Sequence, residues 1–300
     1  MNTKTLLCFL LCSVFFACIP SKTLIDNDAL LARVKVLSSD AFEGRKSGTE
    51  GAKNARSYII NQLKKLNVKP LTPSFKQEFN FLYETKKYAG TNILGIINGT
   101  DKPDTYIVIS AHYDHLGVQN NSIYNGADDN ASGVSALLAF AEYFKENPPA
   151  HSVILAAFDA EELGFEGSKY FVEHTIISQD KIVFNINMDM VSRSNDSELF
   201  IVGANTHKLL TPLLNTAILT SKKIKLTVGH DGSDGLEDWT YASDHASFYR
   251  KQIPFLYFGV ADHNDYHKST DDFENIHPEF YKEAVYQIIL MFNIVDKINF

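Results

Sequence analysis

A three-layer α/β fold, with a mostly parallel, mixed and twisted sheet between two layers of helices, is predicted by two patterns in the sequence. From Tyr106 onward, short apolar runs of strand length alternate with longer segments of helical period. Several of those runs end in histidine, aspartate or glutamate. An open parallel sheet delivers ligand-binding groups at that carboxyl edge.

Taken in order, Asp28 to Leu37 reads as a short helix. Thr49 to Leu66 carries Ala52, Ala55, Ile59, Leu63 and Leu66 on one stripe, with Ser47 or Thr49 placed to cap its start. The alternation Phe75, Gln77, Phe79, Phe81 predicts a half-buried strand. Thr91 to Ile97 is its partner and ends at Asn98-Gly99. Buried strands follow at Tyr106–Ala111, Val153–Phe158, Lys181–Met188, Glu198–Val202 and Pro254–Gly259. Helices are expected at Ser132–Glu146, Gly167–His174, Thr206–Ser221 and Pro278–Ile298. No repeat or low-complexity linker interrupts this order, so residues 26–300 are expected to form one domain.

The first 25 residues read differently. Lys4 precedes an apolar run from Leu6 to Ala17, too short for a stable membrane span and patterned like an export signal over residues 1–18. Phe15-Phe16-Ala17-Cys18 resembles a lipoprotein cleavage box, which would leave a lipid on Cys18. Ordinary cleavage near Ala17 is the alternative. Residues 19–25 would be a tether. The expected location is outside the cytoplasm, as a periplasmic or outer-membrane-anchored lipoprotein or a secreted protein. The three cysteines, Cys8, Cys12 and Cys18, leave a mature chain with at most one thiol and no internal disulfide. A net charge of −8 over 300 residues argues against nucleic acid as a partner. The membrane would be met only through Cys18.

The chemistry gathers behind the strands. His112-Tyr113-Asp114 follows the first of the central runs, Asp159 to Glu162 follows the second, and Asp189 follows the third. His263, Asp265 and His267 follow the last. Asp128 and Asp129 precede the helix near Ser132. Carboxylates this close repel one another unless a cation neutralises them. Mixed imidazole and carboxylate donors suit zinc, and a shared carboxylate suits a pair of ions.

The stretches Ser110 to Gly117, Asn125 to Gly133 and Ala160 to Gly164, with Asn187 to Met190 and Tyr266 to Asp271, resemble the signatures of the secreted dizinc aminopeptidases. That family also contains glutamate carboxypeptidases and glutaminyl cyclases. Leu37 to Arg45 is similar as well, so the resemblance covers roughly residues 35–298. It implies a zinc-exopeptidase-like fold and two zinc ions per chain. His112 and Asp189 would hold one, Glu162 and His267 the other, and Asp129 would bridge both; a one-residue slip would exchange it with Asp128. Glu161 is the implied general base. Asp114, two residues beyond His112, is expected to accept a hydrogen bond from its imidazole and fix the tautomer. His115 is expected to point the other way and has no metal role. Tyr241 aligns with an oxyanion-stabilising tyrosine, or is a packed aromatic. Asp244 and His245 are expected to support the site.

The activity implied is an aminopeptidase acting on peptides with a free N-terminus. Alternatives are a one-zinc glutaminyl cyclase, a dipeptidase or carboxypeptidase specificity, a relative that has lost its metals, and a lipoprotein with a structural cation.

Overall fold

A computed structural model describes residues 25–300 apart from 175 and 208. The expected export signal, Cys18 and nearly all of the tether therefore lie outside the described residues. Ile25, placed at the end of that tether, is buried in the main core, and Asp26 caps the first helix by accepting from the backbone N–H of Asp28 and Ala29.

The elements run α1 (Asn27–Leu37), α2 (Glu50–Lys65), β1 (Lys69–Pro70), β2 (Lys76–Tyr83), β3 (Lys86–Ile97), β4 (Lys102–His112), β5 (Gly117–Gln119), β6 (Ser122–Tyr124), α3 (Gly133–Tyr143), β7 (His151–Phe158), α4 (Glu166–Glu173), β8 (Ile182–Met188), β9 (Glu198–Val202), α5 (Leu210–Thr220), β10 (Lys225–Val228), α6 (His245–Arg250), β11 (Phe255–Gly259) and α7 (Pro278–Val295). Thr49 caps α2 through its side chain, which accepts from the N–H of Ala52. Pro278 opens α7, where its missing N–H costs nothing.

The nine-stranded sheet has the order β1-β3-β7-β4-β8-β11-β9-β10, with β2 also paired to β3, antiparallel. The central strands β7, β4, β8 and β11 are parallel to one another, whereas β3 and β9 join them antiparallel on either side. Parallel strands need both faces covered, and their side chains show it. On β4 and β7, Ile107, Ile109, Val153 and Leu155 face the large core shared with α1, α2, α3 and α7. Val108, Ile154 and Phe158 face a smaller core with α4 and α6. Apolar packing on both faces fixes the register, since a one-residue slip would exchange the two sets. The carboxyl ends of the four parallel strands then fall side by side.

Among the described residues no helix is long and apolar enough to cross a membrane.

Candidate metal centre

The loop that follows the β5–β6 hairpin carries Asp128 and Asp129, and its path is dictated from three sides. Gly126 has φ 56°, and a Cβ there would lie 2.0 Å from the Asp129 carbonyl oxygen, so only glycine fits. Asn130 donates to the Met188 carbonyl and accepts from the Gly133 N–H, tying the loop to the end of β8. Asp271 accepts from the backbone N–H of both Asp128 (2.9 Å) and Asp129 (3.0 Å). Beneath the loop, the fully buried Arg45 guanidinium donates to the carbonyls of Leu37, Tyr113, Asn125 and Gly126.

The two neighbouring aspartates end in different surroundings. Asp128 accepts from the N–H and hydroxyl of Ser192 and lies 3.1 Å from His263 Nε2. Asp129 turns the other way. Its Oδ1 lies 3.3 Å from His112 Nε2, and its Oδ2 lies 3.2 Å from His267 Nε2. His112 Nε2 is also 3.1 Å from Asp189 Oδ1, and His267 Nε2 is 3.4 Å from Glu162 Oε2. The geometry therefore gathers the five expected ligands around Asp129: His112, Asp129 and Asp189 form one group within metal-binding reach, Asp129 and Glu162 form a second with His115, and His267 lies beside that second group, while Asp128 stays outside both.

These spacings suit a small cation. Tetrahedral zinc with bonds of about 2.0–2.1 Å places its ligand atoms about 3.3 Å apart. The donor set of imidazole nitrogens and carboxylate oxygens is also the one zinc takes. Without a cation the charges can be relieved only by protons. Burial would depress the His112 imidazole, but the Asp189 and Glu161 carboxylates hold it well above its ordinary value. Burial would likewise raise Asp129, but His115, His112 and His267 hold it well below the usual carboxylate range.

Glu161 and Glu162 sit in the loop between β7 and α4. Asp114 holds that loop, accepting from the N–H of Glu161 (3.1 Å) and Glu162 (3.4 Å). This adds to the role expected for Asp114, whose carboxylate also stays beside the His112 imidazole. β4 ends at His112, so strand parity no longer fixes where the Asp114 side chain points. His112 Nδ1 lies 3.1 Å from the Asp114 backbone carbonyl, which can fix the tautomer, and 3.7 Å from the carboxylate. The Glu161 side chain lines the cleft, and burial pushes its carboxyl well above the usual range; His112 opposes this, while Asp189 and Glu162 add to it.

Two expectations are corrected. His115 does not face away: its ring is 1% exposed and its Nδ1 lies 2.8 Å from Glu162 Oε1. Tyr241 is 48% exposed, packs on Tyr249 and lies under Arg250, and does not line the cleft. Tyr257, in the middle of β11, and Tyr266 line it instead. A tyrosine inside an apolar strand such as Phe255–Gly259 gives no sequence signal that sets it apart from core. Asp244 is fully buried, with its carboxyl pushed by burial to about 7, and His245 stacks on Tyr257.

The cleft over the clusters measures 460 Å³. Trp239 and Glu237 from the Gly229–Trp239 loop form part of its wall; the Ser192–Asp196 loop does not contribute. Among the described residues no lysine or arginine lines it, whereas Glu237 and Asp262 add to its acidic surface.

Comparison with known proteins places this geometry. The chain is 29% identical over 203 residues to aminopeptidase YwaD of Bacillus subtilis, a match covering 64% of this chain and 42% of that protein. The chain spans less than half the length of the curated relatives it matches first. Among solved structures, a zinc aminopeptidase from Bacillus subtilis superposes with TM-score 0.72 at 18% identity, covering 92% of this chain and 96% of that one. A Zn-dependent exopeptidase from Parabacteroides distasonis superposes with TM-score 0.70 at 21% identity, covering 90% and 98%. At these identities the superpositions establish the fold, a zinc-exopeptidase-like α/β sandwich. The sequence profile of Peptidase family M28 matches residues 92–292, two thirds of the chain including every residue of both clusters, and the chain belongs to that family.

Proposed function

We propose that the chain is a two-zinc aminopeptidase that removes residues from the free N-terminus of peptides. The observation that carries this reading is Asp129, one carboxylate with its two oxygens 3.3 Å and 3.2 Å from imidazoles on opposite sides. His112, Asp129 and Asp189 would hold one ion; Asp129, Glu162 and His267 would hold the other. Bound there, zinc supplies a water acidified to a pKa of about 7 and a positive charge to polarise the scissile carbonyl.

The chain's own groups do the rest. Glu161 takes the proton of the attacking water at its carboxylate and hands it to the leaving nitrogen. Its side chain lines the cleft over the metal-binding residues, where such a proton transfer would take place. Asp114 keeps that side chain in place through the Glu161 N–H. Tyr257, which lines the cleft, would supply the hydroxyl donor that stabilises charge on the carbonyl oxygen. The acidic wall favours a substrate's ammonium group. A C-terminal carboxylate would find no lysine or arginine there among the described residues, which supports N-terminal over C-terminal cleavage. The charged and apolar start, Lys4 followed by Leu6–Ala17, supports export, with or without a lipid on Cys18.

The test is hydrolysis of aminoacyl-anilides by the metal-loaded chain, with metal content measured in parallel. Two ions per chain and activity abolished by a chelator support the reading. One ion, with cyclisation of N-terminal glutaminyl peptides and no anilide hydrolysis, replaces it with the cyclase.

A further inference from the structure

We propose that His115 is a positioning residue: its Nδ1–H holds Glu162 Oε1, so that Oε2 alone is presented to the second metal ion. The proposal rests on the two-ion reading and goes beyond its ligand set.

Glu162 has the longest side chain of the five expected ligands and stands on a loop rather than at a strand end, so its rotamer has to be held by something. Its backbone N–H is only loosely engaged, at 3.4 Å from Asp114 Oδ2. Its two oxygens face different imidazoles: Oε1 lies 2.8 Å from His115 Nδ1, and Oε2 lies 3.4 Å from His267 Nε2. The shorter separation is that of a hydrogen bond, and the longer is close to the edge of a zinc tetrahedron. The His115 ring cannot swing away. It is 1% exposed, and its Cδ2 and Cγ lie 2.6 Å and 2.7 Å from where a Cβ on Gly126 would be, so ring and loop are in close contact.

His115 could instead ligate the ion through Nδ1, since it groups with Asp129 and Glu162 within metal-binding reach. Its other nitrogen argues against this. A ligating imidazole carries its proton on the far nitrogen and gives it to a carbonyl, carboxylate or water. His112 meets that rule through the Asp114 carbonyl. Among the described residues, His115 Nε2 is buried and meets no hydrogen-bond partner. Ligation would strand an N–H donor there, whereas donation from Nδ1–H to Glu162 leaves only a bare lone pair.

The experiment is calorimetric titration of zinc into the chelator-stripped chain, for wild type, His115→Ala and His115→Asn, with zinc X-ray absorption on the loaded forms. An asparagine amide can place an N–H where Nδ1–H was, but its nitrogen does not ligate zinc. The expected result is two ions in the wild type and a second step weakened about 10–100-fold in His115→Ala, the range for groups that orient a ligand. The first step stays unchanged, which also shows that the variant is folded. His115→Asn recovers the second step to within about threefold of wild type, and the imidazole count at zinc is the same in all three. A second step equally tight in His115→Ala overturns the proposal and leaves the two-ion reading intact. So does His115→Asn as weak as His115→Ala, or an imidazole count that falls on substitution. A wild type that takes up one ion overturns the two-ion reading, and this proposal with it.

Discussion

Two histidine–aspartate pairs stand at opposite ends of the same central strands, with the same separation and different roles. At the amino end of β7, His151 Nδ1 lies 3.1 Å from Asp296 Oδ1. At the carboxyl end of β4, His112 Nε2 lies 3.1 Å from Asp189 Oδ1. What differs is the rest of each carboxylate's surroundings. Asp296 also accepts from the backbone N–H of Ala150 (2.7 Å) and His151 (2.9 Å), so both its oxygens are matched by donors. At the other end, Asp129 and Asp189 face imidazoles and further carboxylates. A carboxylate saturated by N–H groups is a fastening. One surrounded by lone pairs and like charges calls for a cation. Asp128 and Asp129 repeat the contrast within one loop.

The sharpest way to break this comparison is to neutralise one member of each kind. Asp129→Asn keeps the shape of the side chain and removes its charge. Zinc affinity is expected to fall by more than about 100-fold, beyond what loss of a supporting group causes, and hydrolysis is expected to fall with it. Retained zinc in that variant would return the bridging role to Asp128. Next in size is Glu161→Ala. Its kcat is expected to drop about 10²–10⁴-fold, the range for a lost general base, with zinc content unchanged by elemental analysis.

Asp128→Ala should behave like a broken fastening. It strands the Ser192 N–H and hydroxyl, and the expected cost is about 1–3 kcal/mol of unfolding free energy per unsatisfied buried group. Metal content should survive. A variant of normal stability that has lost zinc would erase the distinction between the two aspartates. The tyrosines sharpen it further: Tyr257→Phe should lower kcat about tenfold or more, as loss of a charge-stabilising donor does, whereas Tyr241→Phe should leave it within about twofold.

The contrast also shows how far the sequence can be read. The gathering of His112, Glu161, Glu162, Asp189 and His267 at one rim was legible because parallel strands end together, and their separate roles were implied only by the resemblance to known motifs. The α2 boundary was legible because Thr49 carries its own cap. The order of strands beyond β11 was not. β9 returns antiparallel beside β11, and β10 (Lys225–Val228) adds an edge; both depend on long-range pairing that leaves no local pattern. Nor was α6, a single short turn beginning at the buried Asp244 and His245. His115 was misplaced for one physical reason, that β4 stops at His112. Past a strand end, parity no longer says where a side chain points, and loop geometry set by Arg45, Gly126 and Asp271 decides instead.

The smallest effect tests the fastening itself. Burial would push the Asp296 carboxyl up, but the hydrogen bonds from His151 and from the N–H of Ala150 and His151 outweigh it, and the group is held below its ordinary value of 3.8. For an acid with a depressed folded-state pKa, the stabilising contribution is fully present above the unfolded value. It is lost as pH falls through the folded one. Wild type should therefore exceed Asp296→Asn in unfolding free energy near neutral pH, by about 0.5–1.5 kcal/mol for hydrogen bonds weakened rather than removed. The two denaturation curves should converge below pH 3.8 as the wild-type carboxylate is protonated. Because this pair lies at the opposite end of the sheet from the clusters, the difference should be the same in zinc-loaded and stripped protein. A gap that closes on removing zinc would mean that the two ends are coupled and that the rear pair does more than hold the chain end down.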